Sequence, residues 1–372
     1  MLIGVPKEIK THEYRVGLTP ASVRELIDHG HDVVVQASAG FEIGLFDADY
    51  RDVGASVADT PEEIFAAADM IVKVKEPQPD ECRMLREGQV LFTYLHLAPD
   101  PQQAKLLMES GSVAIAYETV TDNRGGLPLL APMSEVAGRM SIQAGANCLE
   151  MSQGGRGMLL GGVPGVAPAK VVIIGGGVVG SNAARMAMGM EASVTVIDRS
   201  LPRLRELDME FGGNLNTIYS TRDNLESYVL DADLVVGAVL VPGAAAPKLV
   251  TADMLSRMQR GSVLVDVAID QGGCFETSRP TTHDEPTYVV DGVVHYCVAN
   301  MPGAVARTST FALNNATLPF ALALADKGYK QALSDDSHLL AGLNVYRGQL
   351  TYEAVAQDLG ASYVPADEAL AA

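Results

Sequence analysis

Four glycines interrupt an apolar run in the middle of this chain of 372 residues. The run VVIIGGGVVG occupies residues 171–180, and Gly175, Gly177 and Gly180 stand where a strand gives way to a helix. The first glycine permits a tight turn, the second lets the backbone approach a pyrophosphate, and the third lets the helix and the strand pack closely. The spacing therefore predicts a dinucleotide site.

An acidic residue follows these glycines at the distance that ribose recognition requires. The next apolar run, SVTVID, ends in Asp198, 23 positions beyond Gly175. Its carboxylate can accept hydrogen bonds from ribose hydroxyls and repels a 2′-phosphate, which favours NAD over NADP. Arg199 and Arg203 lie nearby and leave the opposite preference open, because either side chain can hold a phosphate.

Four other polar residues directly follow apolar runs that are predicted to be strands. In open α/β sheets, ligands bind beyond the carboxyl ends of the strands. Lys75 closes MIVKVK, His96 closes QVLFTYL, Asp270 follows SVLVDVAI, and Asn300 follows VVHYCVA. Two of them precede the glycine motif and two follow it, which is the distribution that a reaction site between two domains requires.

Lys75 competes with Lys73 for a substrate-binding role, because side chains two residues apart in a strand share a face. The position at the end of the strand favours Lys75. A compact ammonium there can hold a substrate carboxylate or carbonyl. The structural alternative is a solvated lysine on an edge strand.

His96 has the most distinctive placement among the seven histidines, because it ends a wholly apolar strand. An imidazole can exchange protons with a reacting group near neutral pH. The alternative is a hydrogen-bonded histidine in the core. The other six lie in polar or turn-like surroundings: His12, His29, His31, His283, His295 and His338.

Asp270 and Arg15 carry weaker local signals. Asp270 lies in DVAIDQGGCFE, where Gly272 and Gly273 permit tight backbone near a ligand. The alternative for Asp270 is a cap of a helix or turn, and Asp266 in the same segment is expected to be structural. Arg15, in THEYRVGLTP, can bind a carboxylate through two hydrogen bonds, but by itself it resembles any exposed loop arginine.

Apolar segments alternate with helical patterns along the chain, as in α/β proteins. The predicted strands cover residues 2–5, 32–37, 70–75, 89–95, 112–118, 171–175, 193–198, 216–220, 233–239, 262–268 and 294–299. After Pro302 the pattern is helical, and this segment is expected to fold back onto the first domain. We predict an α/β fold of two doubly wound, Rossmann-like domains with a cleft between them. Residues 1–131 plus 304–372 would form a discontinuous substrate and catalytic domain, and residues 132–303 the NAD-binding domain.

Charge and composition exclude several classes of function. A net charge of −19 opposes binding to nucleic acid or to an anionic membrane. Four scattered cysteines without CxxC spacing predict reduced thiols in a cytoplasmic protein, with neither disulfides nor a metal site. The uncharged stretch 308–325 is too polar for a membrane span, so we expect a buried or amphipathic helix. The sequence motifs of zinc peptidases, serine hydrolases and P-loop NTPases are absent.

Eight longer segments carry a more specific signal. They are VPKEIKTHEYRVGLTP at 5–20, KVKEP at 73–77, LHLA at 95–98, YETV at 117–120, LPLLAPMSEVAGR at 127–139, GGRGMLLGGVPGV at 154–166, DVAIDQGGCFE at 266–276 and YCVANMPG at 296–303. These segments closely resemble the bacterial L-alanine dehydrogenase family. The resemblance runs nearly end to end and covers both predicted domains.

The resemblance implies an NAD-dependent oxidoreductase that reversibly converts L-alanine to pyruvate and ammonium. His96 would be the acid–base catalyst and Asp270 its partner, while Arg15, Lys75, Met133 and Asn300 would bind the substrate. The implied cofactor contacts, with the glycines of the motif, are Ser134, Gly175, Gly177, Val178, Gly180, Asp198, Arg203, Ser220, Val239, Leu240, Ile269, Val298 and Met301. The resemblance also implies a cytoplasmic homohexamer whose other partners are small molecules.

Two alternatives remain open. A different amino-acid or opine dehydrogenase would differ in its substrate pocket, where Met133 and a second cation favour a small side chain. A non-catalytic nucleotide-binding subunit of a membrane transhydrogenase would lack the substrate cations, whereas Arg15 and Lys75 are present here.

Overall fold

The computed structural model describes residues 1–239 and 246–371. Within them the chain forms two compact units. Unit 1 comprises Met1–Met133 and Val305–Ala372, and unit 2 comprises Ser134–Ala304. Each unit contains a mainly parallel sheet with helices in the connections, so the predicted α/β class is confirmed.

Unit 1 consists of two segments of the chain, one before and one after unit 2. Strands and helices are numbered in sequence order, so the numbers in unit 1 are not consecutive. Its strands are β1 (Leu2–Val5), β2 (Asp32–Gln36), β3 (Ser56–Ala58), β4 (Met70–Val72), β5 (Val90–Thr93), β6 (Val113–Ala116), β14 (Leu343–Tyr346) and β15 (Gln349–Leu350). Its helices are α1 (Pro20–Asp28), α2 (Asp47–Asp52), α3 (Pro61–Ala67), α4 (Pro79–Met84), α5 (Pro101–Ser110), α11 (Ala306–Lys327), α12 (Tyr329–Asp335), α13 (Ser337–Leu340), α14 (Glu353–Leu359) and α15 (Ala366–Ala371).

Local capping sets the start of several of these helices. Thr19, Thr60 and Asp100 each accept a backbone N–H from the first turn, of α1, α3 and α5 respectively, and a proline follows each of them. A side-chain oxygen satisfies an otherwise unpaired amide there, and proline fits the first helical position because it has no N–H to leave unpaired.

The sheet of unit 1 has the order β15-β14-β6-β5-β4-β1-β2-β3 in the described residues. Strands β1 to β6 run parallel. The chain moves outward from β1 to β3 on one side, then crosses to β4 and moves outward to β6 on the other. The reversal between β1 and β4 opens the crevice in which such sheets bind ligands.

The helical pattern predicted after Pro302 is wrong for one part of the segment. Residues 343–350 form a hairpin in which β14 pairs antiparallel with β6 and with β15. Leu343 and Val345 are fully buried there. Pairing with β6 satisfies backbone N–H and C=O groups of β14, so this apolar segment can be buried as a strand.

The first part of that segment is helical as predicted. In α11, the buried Asn314 accepts a hydrogen bond from Thr19 N at 2.8 Å and one from the Ser22 hydroxyl at 2.9 Å. These bonds explain how a polar residue is accommodated on the buried side of the helix. Across the described ranges, no helix combines the length and apolarity needed to cross a membrane.

Unit 2 contains a second sheet with the order β12-β13-β11-β10-β7-β8-β9 among its described residues. Its strands are β7 (Lys170–Ile174), β8 (Ser193–Asp198), β9 (Leu215–Tyr219), β10 (Leu234–Gly237), β11 (Val263–Asp266), β12 (Thr287–Val290) and β13 (Val293–Tyr296). Its helices are α6 (Ala131–Cys148), α7 (Val178–Gly189), α8 (Leu201–Phe211), α9 (Arg222–Leu230) and α10 (Ala252–Arg257). Six strands run parallel, and β12 forms an antiparallel edge that the sequence patterns did not indicate.

Candidate active site

The glycine turn of unit 2 lies between β7 and α7. Gly175 has a φ of +103°, and a Cβ there would lie 2.6 Å from the carbonyl oxygen of Ala238. A Cβ at Gly180 would collide with the carbonyl oxygen of Gly175. Both positions therefore require glycine for the turn and for close packing of the helix, independently of any ligand.

Gly177 differs from these two glycines. It stands at the N-cap of the 12-residue helix α7 without a side-chain cap, and a Cβ there would meet no described atom within 4 Å. Backbone N–H groups at a helix start attract anions through unpaired donors and the helix dipole. A pyrophosphate fits this open position, so the residues present suit a dinucleotide.

Asp198 ends the neighbouring strand β8 and faces the turn. Its carboxylate accepts the N–H of Gly176 at 2.6 Å and that of Ser200 at 2.7 Å. Arg203 donates to the carbonyl oxygen of Gly176 at 2.6 Å and pairs with Glu206 at 2.7 Å. The Arg203 guanidinium thus has a carboxylate partner of its own beside the Asp198 carboxylate, an arrangement that favours NAD over a 2′-phosphorylated cofactor.

The other predicted cofactor residues of unit 2 lie on several elements. Ser220 follows β9 and donates its N–H to the carbonyl oxygen of Asp198 at 2.9 Å, which brings these two residues together at one sheet edge. Val239 follows β10, while Leu240 lies outside the described residues. Four more lie in helices: Val178 at the start of α7, Ser134 in α6, Ile269 in the 3-10 helix Val267–Gln271, and Met301 in the 3-10 helix Met301–Val305. Val298 is buried just after β13.

Asp270 lies in the 3-10 helix Val267–Gln271 that follows β11. Its side chain is exposed, and the described residues give it neither a hydrogen bond nor an ion pair. The capping role belongs instead to the fully buried Asp266, which accepts the N–H groups of Ala268 at 3.1 Å and Cys274 at 2.9 Å. Asp266 is therefore structural and leaves the Asp270 carboxylate available to a ligand.

Asn300 has a φ of +60°, a left-handed conformation that is uncommon outside glycine. Its carbonyl oxygen lies 3.3 Å from Nε2 of His283. Such a conformation often marks a functional position, because the surrounding structure must enforce it. The predicted substrate contact of Asn300 stays a prediction.

Arg15 of unit 1 is buried, so the alternative of an exposed loop arginine is wrong. Glu13 accepts from its Nε at 2.7 Å and from its Nη2 at 2.5 Å. This two-pronged pair compensates the charge in a side chain that is only 2% exposed. Nη1 of Arg15 lies 3.2 Å from the sulfur of Met133, which brings two of the predicted substrate residues together.

The two lysines after β4 have different environments. Lys73 is fully buried and bonds to Glu8 at 3.2 Å and Glu81 at 2.7 Å. Lys75 lies beyond the end of the strand and its side chain is 16% exposed. The edge-strand alternative for Lys75 is wrong, because β4 pairs with β1 on one side and β5 on the other.

His96 lies three residues beyond the end of β5 with its side chain 44% exposed, so the alternative of a core histidine is wrong. Its φ is +47°, and its backbone N–H donates to Glu118 at 2.6 Å. Glu118 also accepts from the N–H of Leu95. This carboxylate therefore fixes the unusual backbone from which the imidazole projects.

His295 corrects the grouping of the remaining histidines. It is fully buried in β13, stacks on Tyr288 and lies 2.8 Å from the Thr277 hydroxyl. Burial lowers the pKa of its imidazole, with a smaller opposing effect from the carbonyl of Val293. The expected polar or turn-like surroundings were wrong because the apolar neighbours of His295 form a central strand.

Sequence reasoning missed Glu76, the residue directly after Lys75. Its Oε2 lies 3.5 Å from Nζ of Lys75 and 3.9 Å from Nδ1 of His96. Burial by itself would raise the pKa of Glu76, but the charge of Lys75 and a hydrogen bond from Lys10 lower it to about 2. The segment KVKEP contained this carboxylate, yet its place beside His96 depends on the pairing of β4 with β5.

Two family models match the chain. Alanine dehydrogenase/PNT, N-terminal domain, matches residues 4–137, and Alanine dehydrogenase/PNT, C-terminal domain, matches residues 141–353. The alanine dehydrogenase of Halomonas elongata is 65% identical over 366 residues, which span 98% of this chain and 99% of that protein.

Solved structures agree with the sequence matches. An L-alanine dehydrogenase structure superimposes with a TM-score of 0.94 at 53% identity and covers 97% of this chain and 99% of its own. A transhydrogenase from Sinorhizobium meliloti superimposes with a TM-score of 0.82 at 24% identity, over 95% of this chain and 100% of its own. The second likeness shows a shared fold and nothing more.

Proposed function

The chain belongs to the alanine dehydrogenase/PNT family, and from this premise we propose that it catalyses the NAD-dependent, reversible oxidative deamination of L-alanine to pyruvate and ammonium. The observation that carries the proposal is the meeting of Lys75, Glu76 and His96 beyond β4 and β5 in unit 1. A cation, a carboxylate and an imidazole there supply the charge and proton chemistry that a small amino acid needs.

Arg15 and Lys75 are the groups that we assign to the substrate carboxylate and carbonyl. Glu13 holds two nitrogens of the Arg15 guanidinium and thereby fixes its orientation toward Met133. The thioether of Met133 limits the room for a side chain, which favours the methyl group of alanine over a longer chain.

His96 is the group that we assign to proton transfer. Its imidazole is partly exposed, while Glu118 holds the backbone beneath it. In the deaminating direction, the imidazole takes and returns protons as water adds to the substrate carbon and ammonium leaves. Asp270 of unit 2 would assist this proton transfer, because no described group forms a hydrogen bond or ion pair with its carboxylate.

NAD supplies a hydride acceptor when it is bound, and NADH supplies the donor in the reverse reaction. The helix start at Gly177 offers backbone N–H groups to the pyrophosphate, and the Asp198 carboxylate accepts from the ribose. Val178, Arg203, Ser220 and Val239 would line the same sheet edge. The predicted interdomain cleft, which the reaction requires, stays a prediction.

A panel of substrates tests the proposed function. The purified protein should oxidise NADH with pyruvate only when ammonium is present, and should use NADPH poorly. Preference for 2-oxoglutarate would point to a different amino-acid dehydrogenase. Absence of turnover despite tight NADH binding would favour the alternative of a non-catalytic nucleotide-binding subunit.

The assembly and location are proposed on the family resemblance. We infer a cytoplasmic homohexamer with small-molecule substrates as its other partners. Light scattering on the purified protein would give a mass close to six chains of 39.3 kDa. A monomer or dimer across the working concentration range would reject the hexamer without affecting the assigned reaction.

A further inference from the structure

Glu76 contains a carboxylate oxygen that lacks the hydrogen bond expected of a buried polar atom. Its Oε1 accepts from Nζ of Lys10. Its Oε2 is buried, and none of the described groups donates a hydrogen bond to it. Lys75 offsets the charge of this oxygen, but a buried acceptor without a hydrogen bond gains from a donor that arrives with a ligand.

The groups around Glu76 Oε2 indicate which hydrogen-bond donor of a ligand it can accept. Lys75 and His96 approach it to 3.5 and 3.9 Å, so it lies beside the groups assigned to the substrate carbonyl and to proton transfer. An ionised carboxylate only accepts hydrogen bonds and repels other anions. Alanine offers a carboxylate and an amino group, and the amino group is the part that donates.

We infer that Glu76 is a further catalytic residue, whose Oε2 accepts a hydrogen bond from the substrate amino group and stabilises the positive charge that develops on it. The inference rests on the proposed function. The step starts from the neutral amine, after the substrate ammonium has given one proton to the imidazole of His96. When the Cα–H bond breaks, its electron pair leaves as hydride, for which bound NAD would be the acceptor. The nitrogen lone pair then forms the second bond to Cα, and the nitrogen becomes cationic with both of its hydrogens retained.

The same oxygen serves the reverse reaction. Ammonia must then be held next to the carbonyl carbon of pyruvate, and the cationic imine must form before it takes hydride back. Glu76 remains an anion throughout, because Lys75 and Lys10 outweigh burial and hold its pKa at about 2. It therefore provides charge stabilisation, while proton transfer stays with His96.

A purely structural role makes a different prediction. If Glu76 only ordered Lys10 and Lys75, its loss would disturb the groups that hold the substrate carboxylate and carbonyl. The Michaelis constant for pyruvate would then rise, and that for ammonium would not. An amine-binding role affects ammonium first.

The test is reductive amination by Glu76→Gln, with ammonium and pyruvate varied separately at saturating NADH. We expect the KM for ammonium to rise and kcat to fall, each by about tenfold or more, as for the loss of a hydrogen bond to a charged group. The KM for pyruvate should change by less than about threefold. Glu76→Asp, which keeps the charge, should recover part of both losses.

The matched control is Glu226→Gln, which removes one carboxylate from an exposed ion pair with Arg257 in unit 2. It should keep parental kinetics. NADH titration reports whether each variant is folded, and Glu76→Asp alone decides the test if Glu76→Gln does not fold. An unchanged KM for ammonium, or a rise confined to pyruvate, would overturn the inference. An inactive parent enzyme would overturn the proposed function itself.

Discussion

The two units share the order of their six parallel strands and differ in the residues that follow the strands at the reversal point. In both sheets the chain moves outward from the first strand, returns to the centre and moves outward on the other side, between β1 and β4 in unit 1 and between β7 and β10 in unit 2. Unit 2 follows β7 with Gly175 and Gly177, whereas unit 1 follows β4 with Lys75 and Glu76. One crevice exposes backbone amides and the other exposes charged side chains.

This difference matches the two kinds of ligand. A pyrophosphate is recognised by backbone N–H groups, which require residues without side chains. A small amino acid is recognised by side-chain charges, which need buried counter-charges to hold them in place. Unit 1 supplies these as Glu13 for Arg15 and as Glu76 for Lys75. The same strand order therefore supports two kinds of ligand recognition, and the residues that follow the strands determine which kind each unit has.

The largest expected effect comes from His96→Ala in unit 1. Removing a general acid–base group lowers kcat by about a hundredfold to ten-thousandfold. NADH affinity should not change, because the dinucleotide residues lie in unit 2. Steady-state kinetics and NADH fluorescence titration measure the two quantities, with the exposed His29→Ala as control. Near-parental turnover would show that His96 is not the acid–base group, and would contradict the proposal that unit 1 supplies the reacting side chains while unit 2 binds the dinucleotide.

Lys73→Met should be the most destabilising change among the charged residues of unit 1. It leaves Glu8 and Glu81 buried without a counter-charge, which costs about 3–5 kcal/mol of unfolding free energy. Burial lowers the pKa of the Lys73 ammonium, and both carboxylates raise it, so the charge belongs to the native state. Urea unfolding followed by circular dichroism checks the loss. A variant as stable as the parent would show that the buried triad contributes nothing net.

The sequence predicted unit 2 better than unit 1, and the reason is the range of the interactions involved. The glycine turn and Asp198 are fixed by consecutive residues, so their spacing alone carries the signal. The burial of Arg15 depends on Glu13 and on Met133, which is far away along the chain. No local pattern distinguishes that arginine from a solvated one.

The same reason explains the missed elements. The hairpin of β14 and β15 is stable because β6 pairs with β14, whereas the pattern of the segment by itself predicts helix. The strand predicted over 70–75 ends at Val72, so Lys75 lies beyond the strand, in the segment that carries the candidate site. The burial of His295 likewise follows from pairing of β13 with β11 and β12.

Lys75→Ala tests whether Lys75 binds the substrate, in contrast to Lys73, which has a structural role in the same segment. It removes a charge that we assign to the substrate, so kcat/KM for pyruvate should fall by about tenfold to a hundredfold, the value of hydrogen bonds to charged groups. The unfolding free energy should change much less than in Lys73→Met, since Lys75 is partly exposed and Glu76 keeps Lys10 as partner. Unaltered pyruvate kinetics would move the role to another cation.

The smallest expected effect concerns unit 2 and its choice of cofactor. Asp198→Asn removes the negative charge that repels a 2′-phosphate while keeping one oxygen for the N–H of Gly176. The ratio of kcat/KM for NADPH to that for NADH should rise by about tenfold, the effect of one charge interaction of roughly 1.4 kcal/mol near the surface. Asp208→Asn on the exposed side of α8 removes the same charge without facing the turn, and should leave the ratio alone. If both variants keep the parental preference, backbone shape rather than carboxylate charge selects the cofactor, and the two units differ less in their use of charge than their loops indicate.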